Sequence, residues 1–223
     1  LIPPHGGKGL QICLLEGKEL EEEKKKAQGL KQIPITASER GDLIMIGTGG
    51  FSPLTGFMTK ADWKGVCDNY LLADGTFWPI PVTLSASKED ADAIKEGDEV
   101  ALYDPEGDEI MATMKVTEKY EMTEENKRYQ CEKTFMGEGT PTAEEFWKIA
   151  EDEHPGVQKV MNQKQFNLAG PVKVLSESDF PTTYKGIYLR PSESRKIFEE
   201  KGWSKIPAMQ LRNPMHRSHE YLA

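Results

Sequence analysis

The sequence predicts a mixed fold, α+β in its N-terminal part and α/β at its C-terminal end, and two observations support this prediction. Apolar and polar residues alternate over residues 110–116, as they do along a β-strand with one buried face. Near the C-terminus a helical pattern, a short apolar run and a second helical pattern follow one another, which is the order of elements in a parallel α/β domain. We therefore expect an N-terminal domain over residues 1–186 and the beginning of a second domain over residues 187–223.

The helices predicted in the N-terminal part depend on charge spacing and capping residues. Over residues 21–26, glutamate twice stands four residues before lysine, which predicts a helix with a solvated surface that needs no functional explanation. Further helix starts are indicated by serine or threonine in front of a helical pattern. These are Thr36 or Ser38 for a helix through Ile46, Thr59 with Asp62 for a helix over residues 61–69, and Thr142 with Glu145 for a helix through Glu153.

Three strands are expected among these helices, at residues 76–84, 99–103 and 109–120. The last two flank the sequence Asp-Pro-Glu-Gly at residues 104–107, which is typical of a turn. Two prolines confine the first strand to an edge or to irregular pairing, because proline has no backbone N–H to donate.

The C-terminal elements begin with a helix predicted at residues 192–201, for which Pro191 suits the first position. Residues 206–211 form a short apolar run between basic residues, which predicts a buried strand. A turn at Pro214 and a helix from His216 onward follow. Together these elements predict the first units of a parallel α/β domain.

The chain of 223 residues carries a formal net charge of −9, from 28 Lys and Arg against 37 Asp and Glu. This balance argues against a nucleic-acid surface, which needs clustered basic side chains, although an acidic protein can still hold an anion in a local basic pocket. The longest apolar run is too short to span a membrane. Cys13, Cys67 and Cys131 lie far apart, so we expect free thiols in a cytoplasmic protein.

One stretch near the C-terminus carries most of the functional information, the sequence QLRNPMHRSHE that begins at Gln210. His216 and His219 are three residues apart, so a helix would place both rings on one face, in the first turn, where unpaired backbone N–H groups favour an anion. A strand, a polar turn and such a helix are typical of a phosphate-binding site in an open α/β sheet. The guanidinium of Arg212 and the amides of Gln210 and Asn213 could also hold a small oxyanion.

The histidine pair has other interpretations. Two histidines at this spacing are often surface residues or part of a metal site, and a zinc-dependent hydrolase that uses His216 and His219 is one alternative. Zinc needs a third and a fourth ligand, and no glutamate lies between the histidines or directly after the first, as zinc proteases require.

The stretch from Gln210 to His219 resembles the Gln-x-Arg-Asn-Pro-x-His-x-x-His signature of ATP sulfurylase, or sulfate adenylyltransferase. Four earlier segments are also similar to segments of that family, in the same order along the chain. They are PHGG at residues 4–7, GGFSPLTGFM at 49–58, LADGTFWPIP at 72–81 and NLAGPV at 167–172. Because these matches span nearly the whole chain, coincidence is a poor explanation.

The resemblance implies a PUA-like β-barrel as the N-terminal domain and the start of a Rossmann-like α/β nucleotidyltransferase domain after it. The family transfers the adenylyl group of ATP to sulfate with Mg²⁺, giving adenosine 5′-phosphosulfate and pyrophosphate. The resemblance therefore implies ATP, sulfate and these products as partners. It also implies a homo-oligomer that binds neither nucleic acid nor a membrane. No protein-bound metal site is expected in these residues. The family's later glycine-rich nucleotide segment is absent from the sequence, so we expect the chain to stop inside the second domain and not to turn over alone.

The resemblance also assigns roles by matching position. Gln210 and Arg212 are expected to hold sulfate, with Arg212 offsetting the repulsion between sulfate and ATP. Gln210, Asn213, His216 and His219 are expected to contact the ATP phosphates as pyrophosphate departs. Arg212, Asn213, His216 and His219 are the expected catalytic residues. Sulfate needs no deprotonation at neutral pH, so orientation and charge placement, not a general base, are expected to drive the reaction.

Several positions depart from the family pattern or leave a choice open. Leu211 replaces a usual threonine and cannot donate a hydrogen bond, so either that hydroxyl is dispensable or activity is lowered. Ser218 replaces another small residue, and Arg190 stands where a capping threonine is expected. For Arg217, a surface role and a phosphate contact are both open. A second alternative to the enzyme is a non-enzymatic PUA-like module that binds RNA, against which the acidic charge counts.

Overall fold

The computed structural model describes residues 1–137 and 142–222, apart from the side chains of residues 151 and 152. Its helices are α1 Gly17–Ala27, α2 Ala37–Gly47, α3 Lys60–Asn69, α4 Lys88–Asp92, α5 Glu124–Phe135, α6 Ala143–Glu153, α7 Pro155–Met161, α8 Phe180–Thr183, α9 Pro191–Glu200 and α10 Arg217–Leu222. Its strands are β1 Lys31–Pro34, β2 Gly56–Phe57, β3 Leu84–Ala86, β4 Glu99–Asp104, β5 Glu109–Lys115, β6 Glu118–Glu121 and β7 Phe166–Val174. The prediction of a mixed α/β fold is confirmed.

The sheet is organised by β7, with which four other strands pair along its length. The first half of β7 pairs with both β3 and β6. The middle of β7 pairs with β2, and its last residues pair with β5. All four pairings are antiparallel. β5 is in turn antiparallel to β4, and β4 is parallel to β1. The seven strands therefore form one mixed sheet, in which a single long strand changes neighbours as it proceeds.

Two glycines permit this exchange of neighbours. A Cβ atom on Gly56 would lie 1.9 Å from the carbonyl oxygen of Gly170, and a Cβ atom on Gly170 would lie 1.9 Å from the carbonyl oxygen of Lys115. Both distances are far inside van der Waals contact, and Gly170 also has φ +152°. Only glycine fits where three backbones approach so closely.

The largest apolar cluster fills the space between the sheet and α2. It includes Leu43 and Ile46 from the helix and Leu102, Met111 and Leu168 from the strands, all of them fully buried. Large apolar side chains that are removed from water in this way supply the main stabilisation of such a domain.

Two smaller clusters extend the core. One contains Trp63 and Tyr120, and the Trp63 indole N–H donates to Gln130 Oε1 at 2.7 Å. The other lies among α5, α6 and α7 around Cys131 and Phe146. The three cysteines carry free thiols, as predicted. In the part of the chain that the structure describes, no helix is long and apolar enough to cross a bilayer.

The capping predictions are confirmed. The hydroxyls of Thr36, Thr59 and Thr142 each accept a hydrogen bond from the backbone N–H three residues later, at the starts of α2, α3 and α6. Thr36, and not Ser38, caps its helix, and the Glu39 side chain completes the capping box. The helix predicted at residues 192–201 is also present, as α9.

The helix predicted at residues 21–26 is confirmed as part of α1. The prediction that its charged side chains are solvated is wrong for Glu23. Glu23 of α1 is buried against the sheet, where it accepts a hydrogen bond from Thr113 Oγ1 at 2.7 Å and pairs with Lys173 and Lys26. Charge spacing within one helix could not indicate these partners, because Thr113 and Lys173 come from distant strands.

Two predicted strands are wrong in extent. In the segment 76–84, only its last residue belongs to a strand, because the two prolines interrupt regular pairing and β3 begins at Leu84. The segment 109–120 divides into β5 and β6. At the division, the Val116 N–H donates to Asp98 O and the Thr117 N–H donates to Ala169 O, so the chain turns from β4 towards β7.

The predicted buried strand at residues 206–211 is wrong. Residues 203–216 are exposed and contain no strand in the described structure, and the chain bends at Arg212 and Asn213. A strand needs a neighbouring strand for its backbone N–H and C=O groups, and β1 to β7 are paired with one another elsewhere. The helix expected from His216 is confirmed as α10, whose first bonds run from the His219 and Glu220 N–H groups to His216 O.

Asp42 on α2 allows a prediction about stability and pH. Its carboxyl group is largely buried, and this burial raises its pKa to about 6. Because the folded pKa lies above the unfolded value of about 3.9, the folded state loses stability as pH rises through 6. We expect Asp42→Asn to stabilise the protein by about 2–3 kcal/mol at pH 8 and by close to nothing near pH 4.

Urea unfolding of the wild type and Asp42→Asn at the two pH values measures this difference. Asp92→Asn is the control, because it makes the same substitution at an aspartate that is helical, exposed and paired with Lys88. A stability difference between Asp42→Asn and the wild type that stays constant from pH 4 to pH 8 would refute the prediction.

Candidate functional site

The predicted signature lies in an exposed part of the chain and brings its two histidines into contact. The ring centroids of His216 and His219 are 3.9 Å apart, with 36° between the ring planes. The His216 backbone N–H donates to His219 Nδ1 at 3.2 Å, and Ser218 Oγ lies 2.7 Å from His216 Nδ1. The expectation that both rings share one face of a helix is met.

These contacts determine which ring nitrogens can reach a ligand. Because His219 Nδ1 accepts a backbone hydrogen bond, the proton of the neutral ring belongs on Nε2. Within residues 142–222, Nε2 of neither His216 nor His219 has a hydrogen-bond partner in the chain. The Nε2–H of His219 is therefore a free donor, which suits a phosphate oxygen.

The other three predicted site residues are placed near the histidines in sequence and are not joined to them. Gln210, Arg212 and Asn213 are exposed, at and just before the bend that precedes α10. No hydrogen bond or ion pair connects any of them to His216 or His219 in the described residues. The structure thus assembles the imidazole half of the predicted site and leaves the amide and guanidinium groups in solvent.

Three of the four earlier segments of the resemblance line a cleft of about 370 Å³, and the chain at and just after the first segment contacts the third. His5 Nε2 lies 2.6 Å from Phe77 O, and the Lys8 ammonium group pairs with Asp74 at 3.3 Å. These contacts join the first segment to the third. The second and fourth segments meet in the pairing of β2 with β7.

The carboxylates at this cleft serve the fold. Asp62 Oδ1 accepts the Ala73 N–H at 2.8 Å, and Asp74 Oδ1 accepts the Thr76 N–H at 3.0 Å. Side chains that hold a turn in this way are already hydrogen-bonded to backbone and are poorly suited to acid–base chemistry. Asp62 and Asp74 therefore stabilise the turn at residues 73–76.

Sequence reasoning missed one cluster, where the segment that carries the signature meets the sheet. The sequence indicates for Arg190 only a position where a capping threonine is expected, whereas its guanidinium binds the buried carboxylate of Glu177 and also Glu16. No helical or strand spacing links these positions. The one available signal was the presence of arginine where the family usually has threonine.

The geometry does not favour the zinc hydrolase. Across residues 1–137 and 142–222, no group of three or more His, Cys, Asp or Glu side chains is arranged to hold a metal ion. His216 and His219 would supply only two of the four ligands that zinc takes in proteins.

Comparisons with known proteins decide the family. A family model described as PUA-like domain matches residues 2–177. The chain belongs to the PUA-like domain family. A second model, described as ATP-sulfurylase, matches residues 185–223 of this PUA-like chain and so includes the whole signature.

Relatives confirm the resemblance to ATP sulfurylases. The PUA-like chain is 74% identical over 222 residues to the sulfate adenylyltransferase of Desulfatibacillum aliphaticivorans and 60% identical over 223 residues to that of Desulfovibrio desulfuricans. Each match covers 100% of this chain and 52% of the relative. The chain therefore spans about half the length of the curated relatives it matches.

A solved structure supports the fold. The structure titled hexameric APS kinase from Thiobacillus denitrificans has a TM-score of 0.71 with the PUA-like chain at 26% sequence identity. The match covers 100% of this chain and 36% of that one. The arrangement of helices and strands described above therefore also occurs in a solved protein.

Proposed function

We propose that this chain is part of a sulfate adenylyltransferase, which transfers the adenylyl group of ATP to sulfate and releases pyrophosphate. The observation that carries the proposal is the signature from Gln210 to His219, in which the paired imidazoles keep Nε2 free for a ligand. Relatives that carry the name sulfate adenylyltransferase and share up to 74% of the residues support it.

The roles follow from the chemistry of each side chain. Arg212 presents a planar fork of N–H donors that matches two oxygens of sulfate, and Gln210 adds an amide donor beside it. Asn213, His216 and His219 donate to the phosphates of ATP, and Gln210 lies close enough in sequence to contact both anions. In this arrangement Arg212, Asn213, His216 and His219 are the catalytic residues.

The reaction needs two anions to meet. A sulfate oxygen attacks the α-phosphorus, the bond to the β-phosphate oxygen breaks, and pyrophosphate leaves with the bonding electron pair. Donors aimed at the phosphate oxygens stabilise the charge that develops during this step, and cationic Arg212 lowers the repulsion on approach. Leu211 donates no side-chain hydrogen bond, so any donor at this position is its backbone N–H.

Mg²⁺ belongs to the nucleotide in this proposal. The signature supplies guanidinium, amide and imidazole groups, whereas Mg²⁺ prefers carboxylate and phosphate oxygens. The side chains of the signature therefore suit sulfate and the ATP phosphates and do not suit Mg²⁺. In this proposal Mg²⁺ enters the site as a complex with ATP.

The signature segment is proposed to be the start of a Rossmann-like α/β domain at residues 187–223, after a PUA-like domain at residues 1–186. Its exposed apolar side chains support this proposal. Tyr221 is 92% exposed, and Trp203, Ile206 and Met215 are exposed as well. Apolar surface of this extent on one short segment is typical of a face that further protein covers. We also propose a cytoplasmic homo-oligomer.

The experiment uses protein of the relatives' length, incubated with ATP, Mg²⁺ and sulfate. We expect adenosine 5′-phosphosulfate and pyrophosphate to form in equal amounts and only when sulfate is present. Sodium chloride at equal ionic strength is the control. Molybdate in place of sulfate should also drive ATP consumption. Pyrophosphate release that is independent of the oxyanion, or no release at all, would contradict the proposed function.

A further inference from the structure

The sheet and the signature segment are connected through residues 178–190, and Arg190 reaches back across this connection. Glu177, which follows β7, is only 6% exposed. Arg190 Nε lies 3.1 Å from both of its carboxylate oxygens, and Nη2 contacts one of them as well. The Tyr188 hydroxyl donates to Glu177 Oε1 at 2.9 Å. The buried carboxylate of Glu177 is thus bound by N–H and O–H donors of Arg190 and Tyr188, which lie at the far end of residues 178–190.

The same arginine has two further attachments. Its Nη1 donates to Glu16 Oε1 at 2.7 Å, and Glu16 stands at the start of α1. Its backbone N–H donates to Glu193 Oε2 at 2.7 Å inside the first turn of α9. Arg190 therefore links α1, the end of β7 and α9 through one side chain and one amide.

Little else fixes α9 to the rest of the chain. In the described residues neither α9 nor α10 has a fully buried residue, and the apolar Ile197 and Phe198 of α9 are half-buried, so burial of apolar surface holds this segment only weakly. One more polar contact is present, from Arg195 Nη2 to Ile2 O at 2.6 Å. The position of the segment consequently depends on a few directed hydrogen bonds.

The chemistry of the cluster makes it sensitive to small changes. Arginine can bind a carboxylate with two parallel N–H groups, whereas lysine offers a single charged point. Loss of Arg190 leaves the buried carboxylate of Glu177 without a compensating charge at a site removed from water. The hydrogen bond to Glu177 raises the pKa of Arg190 further, and burial together with Glu177 raises the pKa of Tyr188 to about 12. Arg190 therefore stays charged and Tyr188 stays a neutral donor through the physiological range.

We propose that Arg190 and Glu177 form a positioning latch, which determines where α9 and the signature that follows it lie relative to the PUA-like domain. Neither residue touches substrate in this proposal, which rests on the proposed function. The latch acts by orienting α9, and through it the segment from Gln210 to His219 that must bring two anions together. Misplacement by about 1 Å is enough to lower turnover by about 100-fold in reactions that depend on orientation.

The test uses protein of the relatives' length and two independent measurements. The test variants are Glu177→Gln and Arg190→Lys. The control variants are Glu200→Gln and Lys196→Gln, which remove charges from the exposed side of α9. Lys196 and Glu200 form a loose ion pair there, with 4.0 Å between Nζ and Oε1. The first measurement is hydrogen exchange of the α9 amides. The second is kcat and KM for ATP and sulfate.

We expect α9 exchange to become faster by about 10- to 100-fold in Glu177→Gln, and kcat to fall by about 10-fold or more with smaller changes in KM. Arg190→Lys should have a partial effect on both, because the charge remains and the fork is lost. The two control variants should match the wild type. If Glu177→Gln does not fold, Arg190→Lys decides the outcome.

The outcomes separate the latch from the proposed function. Unchanged α9 exchange in Glu177→Gln and Arg190→Lys would overturn the latch, whether or not the wild type is active. Faster exchange with unchanged kcat would overturn its role in positioning. If the wild type does not use sulfate at all, the proposed function fails, and the exchange measurement alone still supports or overturns the latch.

Discussion

His216→Ala is expected to lower sulfate-dependent pyrophosphate release by about two to four orders of magnitude in protein of the relatives' length. The reason is geometric. The ring centroids of His216 and His219 lie 3.9 Å apart, and the backbone bond to His219 Nδ1 places the proton of that ring on Nε2, where a phosphate oxygen can accept a hydrogen bond. Replacement of His216 by alanine removes one imidazole and the ring that His219 contacts, whereas the backbone bond to His219 Nδ1 remains. Steady-state kinetics with a coupled pyrophosphate assay measures the effect.

His219→Ala should lose a similar factor, and the double variant should be little worse than either single one, because groups that act as a unit are not additive. Lys205→Ala is the control, since it removes a charged side chain from the same exposed segment outside the signature. Turnover within about threefold of the wild type in both histidine variants would remove them from the site.

Gly170→Ala is expected to destabilise the protein by about 4 kcal/mol or more, or to prevent folding. The new methyl group would lie 1.9 Å from Lys115 O, and this neighbour is backbone, which cannot rotate away. The clash occurs where β7 changes partners, so relief would require the sheet to separate at its central strand. Urea unfolding, or the yield of soluble protein when no transition is seen, measures the effect.

Gly41→Ala serves as the comparison. Gly41 lies within α2 and a Cβ atom there meets nothing within 4 Å, so alanine should stabilise the helix by about 1 kcal/mol. If both alanine variants have the stability of the wild type, the close approach at Gly170 is not a feature of the folded protein.

Local signals predicted several of the helices, although α4, α5, α7 and α8 were not among the predictions. At the start of a helix the hydroxyl of threonine can accept from the backbone N–H three residues later, so Thr59 and Thr142 could be assigned from the sequence, and Thr36 was one of two candidates with Ser38. The strand at 99–103 and the first part of the one predicted at 109–120 were also visible, because apolar residues alternate there and the two flank a turn. In these elements the information is contained within about ten neighbouring residues.

The central strand was not predictable by the same means. β7 contains Gly170 and Pro171, which weaken a strand pattern, and its stability derives from four partners distant in the chain. The strand predicted at residues 206–211 is wrong for a different reason. The run is apolar enough for a strand, but a strand forms only beside another strand, and in the described residues none lies beside it.

The candidate site was predicted in part. The spacing of His216 and His219 was sufficient to place their rings together, because residues three apart on a helix are neighbours. The roles of Gln210, Arg212 and Asn213 stay predictions. The contact between Arg190 and Glu177 could not be predicted, since it depends on how residues 178–190 return to the sheet.

The most direct test is a crystal structure of protein of the relatives' length with adenosine 5′-phosphosulfate and pyrophosphate bound. We expect the sulfate oxygens within hydrogen-bonding distance of the Gln210 and Arg212 side chains, and phosphate oxygens at Nε2 of His216 and His219. Both ligands bound elsewhere, with these four side chains still in solvent, would contradict the proposal that this segment brings the two anions together.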